Sequence, residues 1–317
     1  MVRWRVVLLL ALGLALAVNA PWALQGVYAL AYRASVGRLP ALPPPGAGER
    51  LLVLSPHPDD ESLCCGGLIR EALAQGAEVF VVWLTSGDGF EWDAALLDRT
   101  LRPGHGDYQA LALRRMGEAQ RAAQALGLPL DHLFFLCYPD RGLLHLFLER
   151  RAAPYTSPYT GLGAVTYPGC FSPGAPYTGE ALEKDLEGVL DRVRPTLLLA
   201  PSPLDAHPDH QATAYLALRA LRPGVRALFW IVHGGWEWPL PKGYHPGLPL
   251  EPPPRGRSLS WRRLDLPPSA EEAKRQALLA HQSQQRLLSR FLMAFVRRNE
   301  LYSPLPLPRH PLPEPGR

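Results

Sequence analysis

The stretch Leu51-Leu52-Val53-Leu54-Ser55-Pro56-His57-Pro58-Asp59-Asp60-Glu61-Ser62 decides how this chain is read. Leu51–Ser55 is a short apolar run of the kind that forms a buried strand. It leads directly into a turn that carries one histidine and three carboxylates, and a helical stretch, Glu61–Gln75, follows. Carboxylates packed this closely repel one another and raise each other's pKa. A divalent cation held by an imidazole and a carboxylate cancels that repulsion. Taken alone, the segment keeps a second reading, in which Asp59 or Asp60 caps the helix and complements its dipole.

Working outward, the pattern repeats. Ala77–Thr85, Leu133–Leu136, Thr196–Ala200 and Arg226–Val232 have strand character, and Leu111–Leu126, Glu180–Val193 and Pro208–Leu221 read as helices between them. Strands alternating with helices predict an α/β fold, a Rossmann-like and mainly parallel sheet with helices on both faces. Ligand sites in such sheets lie beyond the carboxyl ends of the strands. A second cluster, Asp205-Ala206-His207-Pro208-Asp209-His210, sits at such a place, after an apolar strand and at the opening of a helix. A catalytic zinc takes about three nitrogen or oxygen ligands and keeps one position open, and the two clusters together supply that set.

The run Pro56-His57-Pro58-Asp59-Asp60-Glu61 and the later His207-Pro208-Asp209-His210 resemble the two signatures of the LmbE-like, or PIG-L-type, zinc de-N-acetylases. Weaker matches follow in order: Thr85-Ser86-Gly87, Arg115 and Glu118 with Leu126-Gly127, Tyr138-Pro139-Asp140, and Lys274 with His281-Gln282-Ser283-Gln284. Coverage runs from about Leu51 to Gln284. The resemblance implies a hydrolase that removes an acetyl group from an N-acetylglucosamine-type amino sugar. It implies His57, Asp60 and His210 as ligands of one zinc ion, and Asp59 as general base toward the attacking water. His207, as an imidazolium, and the metal would share the oxyanion, and Asp209 would hold a histidine in the useful tautomer. Arg115 and Asp140 match family positions associated with sugar binding. Histidine and carboxylate ligands also suit Fe(II) or another divalent metal.

The 317 residues carry a formal charge of +4 with no block of like charge, so no nucleic-acid partner is expected. Cys64, Cys65, Cys137 and Cys170 read as small buried residues, and a bridge from Cys137 to Cys170 stays open. His105, His145, His233 and His245 read as structural or solvent-facing. The expected organisation is a signal sequence or membrane anchor over 1–33, a Pro/Gly linker over 34–49, the deacetylase domain over 50–300 and a Pro-rich tail over 301–317. The apolar run after Arg3 and Arg5 is long enough to span a bilayer of roughly 30 Å. It predicts a membrane protein with a single-pass N-terminal anchor, an extracytoplasmic catalytic domain and a membrane- or lipid-linked substrate; secretion or a cytoplasm-facing domain are the alternatives. The Tyr/Pro/Gly-rich segment Leu143–Gly179 and the loop Gly234–Arg257, with Trp236 and Trp238, read as insertions at the pocket mouth. Other readings are a deacetylase of a small soluble glycoside, as in thiol-cofactor biosynthesis, and a protein that binds metal and sugar without turnover. Two-carboxylate glycosidase chemistry is weakened by the histidines.

Overall fold

A computed structural model describes residues 34–97, 102–235 and 238–306, with Gly13, Val27 and Ala31. Its centre is a five-stranded parallel sheet in the order β3-β2-β1-β4-β5. The strands are β1 (Arg50–Ser55), β2 (Glu78–Thr85), β3 (Leu133–Tyr138), β4 (Leu197–Pro201) and β5 (Arg226–Trp230). All residues of β1 after Arg50 are buried, because helices cover both sheet faces and leave no place for the polar alternation of a one-sided strand. The helices are α1 (Asp60–Ala74), α2 (Glu91–Leu97), α3 (His105–Leu126), α4 (Leu143–Leu148), α5 (Gly179–Val193), α6 (Pro208–Ala220), α7 (Pro268–Ala280) and α8 (Gln282–Leu292). The α/β class and the parallel sheet are as the alternation predicts.

The differences have local causes. α3 starts six residues before the expected Leu111, because its first turn, His105-Gly106-Asp107, lacks apolar periodicity and is held by the Asp107 carboxylate accepting the Gly104 N–H at 2.7 Å. A second sheet pairs β6 (Arg262–Asp265) with β7 (Asn299–Tyr302) antiparallel, and strands of four residues are too short to announce themselves by pattern. This small sheet fixes α1. The buried Glu300 carboxylate on β7 accepts the Gly67 and Leu68 N–H groups and the Tyr302 hydroxyl, each at 2.8 Å, and pairs with Lys274 at 2.6 Å. Gly67 makes the approach possible, since a Cβ there would meet Leu266 Cδ1 at 2.4 Å.

Cys137 and Cys170 are joined by a disulfide, against the reading of all four cysteines as merely buried, while Cys64 and Cys65 are free and buried. The bond closes a 33-residue separation and ties the segment after α4 to the end of β3. The expected membrane anchor is corrected. No helix among the described residues is long and apolar enough to cross a membrane, and the run on which the expectation rested lies almost wholly outside them. The membrane as partner and the extracytoplasmic placement were argued from that run and find no support among the described residues.

Candidate metal centre

The turn after β1 is braced before any ligand is considered. Glu61 is fully buried and accepts Trp83 Nε1 at 2.7 Å, the Ser62 hydroxyl at 2.7 Å and the Asp59 backbone N–H at 3.1 Å. The third carboxylate of the motif therefore holds the loop. Asp59 adopts φ 155°, a backbone region that side chains with a β-carbon rarely occupy. Cys137 (φ 63°) and Arg141 (φ 62°), at the end of β3 and just past it, also have positive φ, so backbone held out of its usual range gathers at this end of the sheet.

His57 meets Asp60 in two ways: its N–H donates to Asp60 Oδ2 at 3.0 Å, and its Nδ1 lies 3.1 Å from the same oxygen. Its Nε2 lies 3.2 Å from both Asp209 Oδ2 and Asp140 Oδ1. His210, wholly buried on α6, places Nε2 3.1 Å from Asp60 Oδ2 and Nδ1 3.2 Å from Asp205 Oδ2. Asp60 is thus the common neighbour of both histidines. His207 caps α6, its Nδ1 accepting the Asp209 N–H at 3.2 Å, which leaves the proton of the neutral ring on Nε2. Its ring stands edge-on to His57 at 4.6 Å.

Charges in this cluster are strongly coupled. Burial alone would raise Asp60, but His210 and then His57 hold its carboxyl well below the usual range. Burial likewise opposes the charged form of His210, yet Asp205 and Asp60 raise it to about 10. Burial and then the Asp60 charge push Asp59 up to about 6, with Arg115 opposing. Burial, then the positive charges of His57 and His210, lower His207 to about 2 in the protein alone, which favours the neutral ring there. In the protein alone, protons on two imidazoles balance the carboxylates. A divalent cation at the same place would displace them.

The residues fit such a cation. Both nitrogens of His210 are buried, and neither contact with its flanking carboxylates has hydrogen-bond geometry, which leaves two donor atoms aimed at oxygens without a proper bond. Among the described residues, three overlapping sets bring one ligand atom each within 4.8 Å: His57, His207 and His210; His57, Asp140, His207 and Asp209; and Asp60, His210 and His233. The expected trio His57, Asp60 and His210 is not itself one of these sets, although Asp60 Oδ2 touches both rings.

Residues 52–221 match the GlcNAc-PI de-N-acetylase (PIG-L) family. The chain belongs to this family. Curated relatives include a diacetylchitobiose deacetylase of Thermococcus kodakarensis, 27% identical over 55% of this chain and 49% of the relative. Another is a 1D-myo-inositol 2-acetamido-2-deoxy-alpha-D-glucopyranoside deacetylase of Saccharomonospora viridis, 33% identical over 57% of this chain and 62% of the relative. The matches thus span about half to three fifths of these relatives. Among solved structures, the N,N'-diacetylchitobiose deacetylase of Pyrococcus horikoshii shares the fold, with TM-score 0.50 at 20% identity over 81% of this chain and 84% of that one. A deacetylase triple mutant involved in the teicoplanin biosynthetic pathway gives 0.51 at 19%, over 80% and 96%.

In this member of the PIG-L family the centre opens into a cavity of about 190 Å³. Asp59, Arg115, Asp140, Arg141 and Gln284 are among its polar lining residues, and Leu63, Phe90, Val232, Leu288 and Phe291 are the apolar ones. Every site residue expected from sequence lines this cavity or touches a residue that does. Three residues were not read as site residues. Gln284, quoted only within a helix motif, donates from Nε2 to Asp59 Oδ2, and it is placed by Ser283, whose N–H and hydroxyl bond the buried Glu118 at 3.0 and 2.6 Å. His233, expected to be structural or solvent-facing, lines the cavity with its ring 4.8 Å from His210 and stacked on Phe291. Nothing near it in sequence signals this, because β5 and β4 are adjacent only in the sheet. Trp238, expected at the mouth, is buried and donates from Nε1 to Glu251 O at 3.1 Å, while Trp236 lies outside the described residues.

Asp205 is the third. Its carboxylate accepts the N–H groups of His207 (2.9 Å), Val232 (2.8 Å) and His233 (3.0 Å) and faces His210 Nδ1. One buried anion thus aims an imidazole and joins the ends of two strands. Asp205→Asn is expected to weaken divalent-metal binding about 10- to 100-fold, the usual effect of losing such an outer partner. Competition against a chromogenic chelator measures it, and unchanged affinity would leave Asp205 a loop-bracing role alone.

Proposed function

We propose that this chain hydrolyses the acetamide of an N-acetylglucosamine-type amino sugar, using one divalent ion, zinc in the first instance, held by His57, Asp60 and His210. His57, Asp59 and Asp60 line one cavity and His210 meets Asp60 Oδ2 just behind it, and this arrangement carries the reading, with family membership in support. The ion, when bound, supplies Lewis-acid polarisation of the carbonyl and of water. Asp59 takes the proton of the attacking water and returns it to the nitrogen as the C–N bond breaks. Burial and the Asp60 charge push its carboxyl up to about 6, above the usual carboxylate range, which suits both steps. Gln284 holds Oδ2, so the proton goes to Oδ1, which has no hydrogen bond from the described residues. His207 donates its Nε2–H to the carbonyl oxygen as negative charge develops there. Asp209 holds His57 in orientation, since its own oxygens also accept the N–H groups of Arg141 at 2.6 Å and Leu143 at 3.1 Å. Asp140 faces the sugar hydroxyls, and Arg115, buried behind Asp59, secures the walls of that pocket.

The higher identity to the Saccharomonospora viridis relative, 33% against 27%, keeps a small soluble glycoside of thiol-cofactor type as the second reading. Neither reading draws on a lipid-linked substrate. The test is acetate release from methyl N-acetylglucosaminide and N,N'-diacetylchitobiose by the full chain, before and after removal of metal with a chelator and its return. Release that disappears with the metal and returns with zinc is expected. Release that persists in chelator would reject the metal mechanism, and stoichiometric metal without release from any amino sugar would favour a binding protein.

A further inference from the structure

We propose that His233 is a further ligand of the divalent ion, joining Asp60 and His210 from the β5 side of the cavity. The proposal rests on the metal-dependent reading above and deepens it by one residue. Of the sets whose ligand atoms converge within 4.8 Å among the described residues, one contains Asp60, and its other members are His210 and His233. Each comes from a different strand end. Asp60 opens α1 after β1, His210 lies in the first turn of α6 after β4, and His233 follows β5. These strands are successive neighbours in the sheet, which brings the three side chains together at its carboxyl end.

His233 is held by contacts that leave its ring nitrogens uncommitted. Its backbone N–H donates to Asp205 Oδ2 at 3.0 Å, and the same oxygen faces His210 Nδ1 at 3.2 Å. One carboxylate oxygen thus sets the root of one imidazole and the aim of the other. The His233 ring is stacked on Phe291, 12° from parallel with centroids 6.1 Å apart, and stands across the His210 ring at 4.8 Å and 67°. Packing therefore fixes its plane. Neither of its ring nitrogens makes a hydrogen bond to a described residue, although the half-buried side chain lines the cavity. The wholly buried His210 likewise lacks a hydrogen bond of proper geometry at either nitrogen. Two adjacent imidazoles without such bonds, next to a carboxylate, need one kind of partner, an electron-pair acceptor. An added imidazole also shifts the donor set toward nitrogen, which favours zinc, cobalt or copper over manganese or magnesium.

The experiment compares the unaltered full chain with His233→Phe and His233→Ala, each stripped of metal and reloaded with Zn(II), Mn(II) or Cu(II). His233→Phe keeps a ring against Phe291 and removes the donor nitrogens, so it separates ligation from packing. Zinc affinity, read by competition with a chromogenic chelator, is expected to fall about 100-fold in both variants, the upper end of what loss of an outer partner costs. Manganese affinity should fall by less. The paramagnetic resonance spectrum of the copper-loaded protein reads ligation directly, and His233→Phe is expected to show coupling to one imidazole nitrogen fewer than the unaltered chain. Free imidazole added to His233→Ala should restore that coupling. A copper spectrum unchanged in His233→Phe would overturn the proposal. So would zinc affinity lost in His233→Ala and kept in His233→Phe, which would make the ring a packing element. The two readings fail differently: an unaltered chain that binds no divalent ion rejects the metal reading and His233 with it, whereas zinc lost in Asp60→Ala and kept in His233→Phe rejects His233 alone.

Discussion

Asp59→Asn is expected to lower kcat for acetate release about 100- to 10,000-fold, the range associated with loss of a positioned general base, while the protein still binds one equivalent of metal. The amide is nearly isosteric and keeps a carbonyl oxygen for Gln284, so the loop around φ 155° loses only the site for a proton. The proposed ligands His57 and Asp60 lie on either side of Asp59 but do not depend on its charge for their placement, since Glu61 holds the turn through backbone and side-chain bonds. Kinetics and elemental analysis on the same preparation separate the two functions. A variant that loses its metal along with its activity would make Asp59 a ligand, and one that retains more than a tenth of kcat would remove it as the base.

The second large effect separates competing ligand sets. Asp60→Ala is expected to leave the purified chain with far less than one equivalent of metal, because Asp60 Oδ2 is the atom that both His57 Nδ1 and His210 Nε2 approach at 3.1 Å. His207→Ala is expected to keep the metal and lower kcat about 100-fold, the order seen when one oxyanion donor is removed. The opposite pattern would favour the set of three imidazoles, His57, His207 and His210, whose nitrogens also converge within 4.8 Å. Chemistry argues for the carboxylate set. His207 Nδ1 accepts the Asp209 N–H of its own helix, which leaves Nε2–H as a donor into the cavity.

Much of this protein was legible because two physical signals are local. Apolar runs too short for helices, separated by helical stretches, gave the parallel sheet and the ends at which a site should lie, and β1, β2 and β4 fall within a residue or two of their expected bounds. The candidate site was legible for a related reason. His57, Asp59 and Asp60 lie within four consecutive residues, as do His207, Asp209 and His210, so each strand end carries its candidate ligands as a cluster. The two clusters follow β1 and β4, and the strand order makes these direct neighbours.

What the sequence by itself determined, then, is the alternation that builds the sheet and the clusters of ligand-forming side chains at two strand ends, since both depend on spacings of a few residues. Only the tertiary structure decided the rest. It assigned Asp209 to His57, 152 residues away, rather than to a histidine of its own cluster. It brought Gln284 to Asp59 across 225 residues, put His233 beside His210 through the β4–β5 pairing, and left Arg141 exposed while Arg115 was consumed by backbone carbonyls. Side chains that meet only when remote elements pack leave no periodicity behind. A sequence records which groups are present, and the packing decides which of them share a charge, a proton or a pocket.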